Sequence, residues 1–243
     1  MKHLIVLPAF NEEAALPGTL AGLAALPPEF DILVVNDGSL DRTGAVAEQL
    51  AELRSRIHVV HLPVNSGIGV AVQTGYRYAA EQGGYRYVIQ FDADGQHDPA
   101  AIVPLVQWCD GNDLDLCIGS RFLGHTRSGF RSTGIRRVGI RFFARLIGLL
   151  SGVRVTDPTS GMRCAGPRAW RRFAEVYPDD YPEPESLFWC ARNGLHVGEM
   201  PVVMHERQGG ISSIYRFRGA YYMLKVTMSI LFDRVRAREG QSL

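Results

Sequence analysis

A chain of 243 residues suits one domain of ordinary packing, with or without a C-terminal appendage, and its 46% hydrophobic and 21% charged residues have the balance of a globular protein. The net charge of +1 supplies no global field toward nucleic acid, which excludes that partner class. No run reaches the roughly 18 uninterrupted apolar residues of a spanning helix. Cys109, Cys117, Cys164 and Cys190 have neither metal-ligand spacing nor a disulfide framework, so a reducing compartment is expected.

The first half alternates β-branched runs with helical patterns, the mark of a parallel sheet covered by helices. Leu4–Leu7 reads as the first strand, too short and too soon ended by Pro8 for a signal peptide, and Glu12–Ala25 as its helix. Ile32–Val35 is the second strand, with Asp41 as N-cap of a helix running to about Arg54. Ile57–His61 is the third, and a loop at Asn65–Gly69 opens the next helix. Tyr87–Phe91 is the fourth strand, followed at once by Asp92-Ala93-Asp94; a helix starts at Pro99, and Leu114–Ile118 is the fifth strand. All but the third end in polar residues, at the carboxyl ends of the strands, where open α/β proteins bind ligands.

The second half is less regular. Between Asp115 and Asp157 lie eight arginines and no acidic residue. Ile135–Leu150 reads as an amphipathic helix, with Arg137, Arg141 and Arg145 on one side and Val138, Phe142, Leu146 and Leu149 on the other. Opposite an apolar face, that basic stripe fits an anionic membrane surface as well as it fits a soluble helix with its apolar side in a core. A turn follows at Asp157–Gly161, then a proline-rich acidic stretch at Pro178–Pro184, a helix near Leu187–Asn193, a strand at Val197–Met204, and a largely apolar helix at Gly219–Arg236. That last helix offers a face to a membrane, an integral membrane partner or a second copy of the chain.

Two residues apart at a strand end, Asp92 and Asp94 can converge on a hard divalent cation, although a pair of helix-capping aspartates before Pro99 has the same spacing. Asp37 is placed to accept from a nucleobase or ribose, or to cap the helix that follows. Asn65-Ser66-Gly67-Ile68-Gly69 is a glycine loop of phosphate-cradling type that lacks the G-x-G-x-x-G spacing of a dinucleotide fold, and no P-loop lysine is present.

Pro8-Ala9-Phe10-Asn11-Glu12, Val35-Asn36-Asp37-Gly38-Ser39, Asn65-x-Gly67-x-Gly69, Asp92-Ala93-Asp94-Gly95-Gln96-His97, Gly119-Ser120-Arg121-Phe122 and Asp157-Pro158-Thr159-Ser160-Gly161-Met162-Arg163 stand in this order. Together they resemble family 2 glycosyltransferases, most closely the dolichol-phosphate mannosyltransferase-like branch that uses polyprenyl phosphates. The resemblance implies one GT-A domain, with residues 1–120 as the nucleotide-sugar half, 121–215 as the acceptor half and 216–243 as a C-terminal helix. It implies that Pro8, Phe10, Glu12, Asp37 and Gly67 hold the donor. Asp92, Asp94 and Gln96 would hold Mg²⁺ or Mn²⁺ with the diphosphate. Arg121 would face the acceptor phosphate or the diphosphate, and Arg207 would reach the diphosphate. The acceptor side takes Arg136, Arg137, Ser160 and Arg163. Ile68 and Ser213 stand where relatives of this kind often carry lysine.

The expected activity is metal-dependent, inverting transfer from a UDP- or GDP-linked sugar to a polyprenyl phosphate, by a cytoplasmic enzyme peripheral to the inner membrane face. A phosphate acceptor needs no general base, whereas a glycan hydroxyl would, with Glu183 and Glu185 as candidates. His205 is a further metal-ligand candidate. A silenced nucleotide-sugar-binding scaffold is the non-enzymatic alternative.

Overall fold

Four short hydrophobic runs set the centre of the molecule. β1 (Lys2–Ala9), β2 (Phe30–Asp37), β3 (Ile57–Leu62) and β4 (Tyr85–Gln90) pair in parallel in the computed structural model, which describes residues 1–123, 134–205 and 216–240. Because a strand points successive side chains to opposite faces, β1 divides its residues between two cores. Ile5 and Leu7 meet the layer of α1 (Leu16–Ala24), α2 (Thr43–Glu52) and α4 (Ile102–Gly111), which a 3₁₀ turn at Pro99–Ala101 introduces. Leu4 and Val6 meet the layer headed by α3 (Ile68–Gln82). Helices on both faces leave the inner strands no solvent side, hence their unbroken apolar runs.

Three strands from later in the chain complete the sheet. β5 (Leu116–Ser120), β6 (Arg163–Ala165) and β7 (Val197–Pro201) give the order β3-β2-β1-β4-β6-β5-β7, with β6 antiparallel to both neighbours. This is the expected mostly parallel α/β sheet. The interposed β6 was not expected, nor was α6 (Pro167–Glu175) behind it. The fifth strand starts at Leu116 rather than Leu114. The helix expected at Leu187 is α7 (Pro182–Arg192), begun by Pro182 at its first position. The last strand stops at Pro201, and Met204 instead forms an isolated antiparallel bridge with His97.

α5 (Gly134–Ser151) corrects the sequence reading of its faces. Among its described side chains Ile140, Phe143 and Ile147 are buried and Leu146 packs half-buried beside them as expected, while Val138 (68% exposed), Phe142 (41%) and Leu149 (82%) point outward. Apolar residues occur on both sides of this helix, and the neighbouring α7 and α8 (Arg216–Gly240) chose which side became core. α8 buries Val226 and Ile230 and sets Tyr222 edge-on to Phe143, with ring centroids 5.2 Å apart. Tyr221, Leu224, Met228, Leu231 and Phe232 remain exposed.

Candidate active site at the carboxyl ends of the strands

The loops after β1 and β2 clasp each other. Asn11 N–H donates to Ser39 Oγ (3.0 Å), Leu40 N–H to Asn11 Oδ1 (2.8 Å), Glu12 N–H to Thr43 Oγ1 (2.8 Å) and Arg42 N–H to Glu13 Oε2 (2.9 Å). This clasp holds residues 11–13 out of α1, which is why that helix starts at Leu16 rather than Glu12. Asp41 accepts the Thr43 N–H (2.9 Å) and so caps α2 from just outside it. Pro8 is buried at the end of β1, whereas Phe10 is 41% exposed and Glu12 half-buried, on a rigid rim at the mouth of the sheet.

Asp37, 4% exposed at the end of β2, accepts Ser66 N–H (2.7 Å) and Gly67 N–H (2.9 Å). Gly69 N–H donates to the Asp179 carbonyl (3.0 Å), and a β-carbon there would lie 2.0 Å from the Pro178 carbonyl oxygen. Three amides of the expected phosphate cradle therefore already have partners within the protein. The glycines serve close backbone approach, and Asp37 fixes the loop from below.

Asp92 and Asp94 follow β4 directly. Asp92 Oδ2 lies 3.2 Å from Nε2 of the buried His97, and Asp94 Oδ1 accepts the Gln96 N–H (3.1 Å). Gln96 is paired to the segment after β7: His205 N–H donates to the Gln96 carbonyl (2.8 Å), and Gln96 Nε2 to the His205 carbonyl (3.4 Å). Residues 92–97 are thus tied to the chain that leads to Arg207, which itself lies outside the described residues.

Arg121, at the end of β5, is 6% exposed and locked to Asp157, which is wholly buried. Its Nε and Nη2 meet the two carboxylate oxygens at 2.6 and 2.7 Å, its own N–H adds a 3.1 Å bond, and Nη2 also reaches Thr159 Oγ1 (3.0 Å). Burial opposes the guanidinium charge, but the Asp157 carboxylate outweighs it and holds the group above its ordinary pKa; Asp92 and Glu183 add to that field. Asp157 is held in turn by a residue that sequence reading passed over. Glu199 on β7 accepts the N–H groups of Thr156 (2.7 Å) and Asp157 (2.8 Å), and its carboxyl is raised chiefly by burial. An acidic residue inside a strand was the available signal.

Arg163 and Ser160, expected on the acceptor side, lie in the interior at 1% exposure each. Arg163 donates to the Ser160 carbonyl (2.8 Å), the Pro158 carbonyl (2.8 Å) and Ser186 Oγ (3.1 Å), so it braces the 157–161 turn onto α7. The structure also separates Glu183 from Glu185, two residues apart on one helix and therefore on different sides. Glu183 accepts from Gln90 Nε2 (3.3 Å) at the end of β4; burial pushes its carboxyl up, Arg163 pulls it back and Asp92 raises it again. Glu185 instead accepts from Ser229 Oγ of α8. Arg137 is exposed on α5, and the Arg136 side chain lies outside the described residues.

Two carboxylates and a carboxamide form a hard-oxygen donor set that suits Mg²⁺ or Mn²⁺. Among the described residues no three His, Cys, Asp or Glu side chains converge on one point, so a cation at Asp92 and Asp94 needs oxygens from the donor diphosphate or water as well.

The sequence profile described as Glycosyl transferase family 2 matches residues 4–175. The polyprenol monophosphomannose synthase of Mycolicibacterium smegmatis is 34% identical over 224 residues, covering 88% of this chain and 81% of that protein. The undecaprenyl-phosphate mannosyltransferase of Micrococcus luteus is 31% identical over 225 residues, 88% of each chain. Among solved structures, glucosyl-3-phosphoglycerate synthase from Mycobacterium tuberculosis in complex with Mn²⁺, UDP and phosphoglyceric acid matches with a TM-score of 0.68. At 20% identity, over 96% of this chain and 78% of that one, the likeness is one of fold.

Proposed function

The chain belongs to glycosyltransferase family 2 and is a glycosyltransferase of the GT-A fold, and on that premise we propose that it moves one sugar from a UDP- or GDP-linked donor to a polyprenyl phosphate at a membrane face. The observation that carries this reading is the Asp92–Asp94 pair at the end of β4, between the Asp37-anchored loop and the Gln96–His205 pairing that leads to Arg207. Both curated relatives are named for polyprenyl acceptors, which supports that class over a soluble sugar.

An acceptor phosphate oxygen attacks the anomeric carbon from the side opposite the diphosphate. The carbon–oxygen bond to the diphosphate breaks, the nucleoside diphosphate leaves with the electron pair, and the anomeric centre inverts. No proton moves, because the phosphate is already anionic. The chain's task is to offset the meeting of two anions, and the acid-free stretch between Asp115 and Asp157 carries seven arginines besides Arg121, which is already paired with Asp157. Mg²⁺ or Mn²⁺ held at Asp92 and Asp94 would supply charge to the departing diphosphate. Phe10, Glu12 and the clasped loops of β1 and β2 would hold the nucleoside.

No described helix is long and apolar enough to cross a membrane. Exposed Val138, Phe142 and Leu149 lie on the same helix as exposed Arg137, Arg141 and Arg145, and α8 adds Leu224, Leu231 and Phe232. That mixture of apolar and basic residues fits peripheral attachment to an anionic inner membrane face. A glycan hydroxyl acceptor is the second reading, favoured by one observation: Glu183, its carboxyl raised by burial, sits within the field of Asp92 and Arg121.

The test supplies purified protein with Mn²⁺, a panel of labelled UDP- and GDP-sugars, and either a short polyprenyl phosphate or the corresponding polyprenol. Label is expected in the organic phase with the phosphate and not with the alcohol. Transfer to a glycan hydroxyl with no lipid product would overturn the acceptor assignment.

A further inference from the structure

We propose that His97 is a positioning residue that holds the Asp92 carboxylate in a slot whose opposite wall is Gly161; the proposal rests on the reading of Asp92 as a metal ligand. The His97 side chain has no exposure, its Nε2 lies 3.2 Å from Asp92 Oδ2, and its ring packs on Phe91 with centroids 5.6 Å apart. Its backbone is bridged to Met204, so the ring has a fixed mount. A carboxylate only accepts, so the hydrogen bond places the ring proton on Nε2. Nδ1 is then left buried with no partner. An orphaned buried acceptor carries a desolvation cost that a merely structural histidine avoids by satisfying both nitrogens. Here the cost is tolerated because Nε2–H is required at Asp92.

Gly161 closes the other side. A β-carbon at that position would lie 2.4 Å from Asp92 Oδ2 and 2.6 Å from Oδ1, so only glycine admits the carboxylate in this orientation. The Gly161 backbone is itself held, because Ser160 N–H donates to the Asp157 carbonyl (3.3 Å) and Gly119 N–H to the Met162 carbonyl (2.9 Å). A carboxylate confined by a hydrogen bond on one side and a backbone on the other is oriented before any cation arrives, which is how supporting residues raise metal affinity.

The experiment measures Mn²⁺ affinity in the presence of GDP or UDP by electron paramagnetic resonance of the free ion, so activity is not the readout. Asp92→Asn is the reference and should abolish the nucleotide-dependent site. His97→Phe should weaken Mn²⁺ binding about 10- to 100-fold. His97→Gln, whose Nε2 reaches the same place, should restore most of it. Gly161→Ala should weaken binding without touching the histidine, and it decides the matter if His97→Phe does not fold. Wild-type Mn²⁺ affinity in folded His97→Phe or in Gly161→Ala, with Asp92→Asn still defective, overturns the slot and leaves the metal assignment standing. Wild-type affinity in Asp92→Asn overturns the metal assignment itself.

Discussion

Replacing Asp157 by alanine tests whether the pair it makes with Arg121 supports the end of β5 and the 157–161 turn. Both side chains are buried, at 2% exposure for Arg121 and none for Asp157, so water cannot take over the lost partner. Alanine removes the 2.6 and 2.7 Å bonds to the guanidinium and the 3.1 Å bond to the Arg121 N–H. Breaking a buried pair from one side costs about 3–5 kcal/mol, because the remaining charge stays desolvated. At roughly 2–4 °C per kcal/mol for a domain of this size, the melting temperature should fall by about 6–20 °C. A native stability of about 10 kcal/mol, the middle of the usual range for a domain, keeps most of the variant folded at 25 °C, so turnover remains measurable. The double variant Arg121→Met/Asp157→Leu removes both charges and should recover much of the loss, while transfer stays impaired. Thermal and urea unfolding by circular dichroism, read as a double-mutant cycle, separates these terms. A shift below about 2 °C for Asp157→Ala, or a double variant no more stable than the single one, would refute the reasoning.

Asp94→Asn should leave the melting temperature nearly unchanged, since the residue lies on a loop, and lower donor turnover by roughly two orders of magnitude or more; undiminished turnover sinks its assignment to the metal. Glu183→Gln separates the acceptors: with a polyprenyl phosphate most activity should survive, whereas a collapse with unchanged donor binding identifies a base. The same variant has a pH signature. Burial raises the folded-state carboxyl above its ordinary value of 4.5, so the native protein holds that proton more tightly than the unfolded chain does. Wild-type stability from this group is therefore greatest at low pH and declines as pH rises from about 4.5 through the folded value. The melting temperature of the glutamine variant minus that of wild type should rise over that interval, and a difference that falls as pH rises contradicts it. Exchanging Arg137, Arg141 and Arg145 for glutamine should weaken binding to anionic vesicles at low salt, each arginine contributing about 1 kcal/mol near the surface. Donor binding should be unaffected, and a wild-type protein indifferent to such vesicles removes direct lipid docking.

Much of the first half of the chain was legible because its determinants are local. The runs Leu4–Leu7 and Ile32–Val35 fall inside β1 and β2, since a strand buried on both faces must be apolar throughout, and Ile57–His61 falls inside the half-buried edge strand β3. The Asp92-Ala93-Asp94 cluster could be placed at a strand end because polar residues after such a run have nowhere else to go. α6 was legible too and was missed: Pro167 opens it, and Ala169, Trp170 and Phe173 make its buried stripe.

By itself, then, the sequence determined the alternation of strands and helices, the strand-end carboxylates and the acid-free basic stretch, all properties of segments a few residues long. Tertiary structure alone decided the rest. β6 has three residues and no periodicity, and it becomes a strand because β4 and β5 leave an antiparallel slot between them. α5 carries apolar residues on both sides, so its neighbours rather than its pattern selected Ile140, Phe143 and Ile147 as core. Arg163 reads as a surface cation and is buried because the carbonyls of Pro158 and Ser160 converge on it from a turn. Glu183 and Glu185 look equivalent in a line of text, and the helix sends one toward the end of β4 and the other to α8. In each case the deciding partner lies far along the chain or on another element, and only packing brings the two within hydrogen-bonding reach.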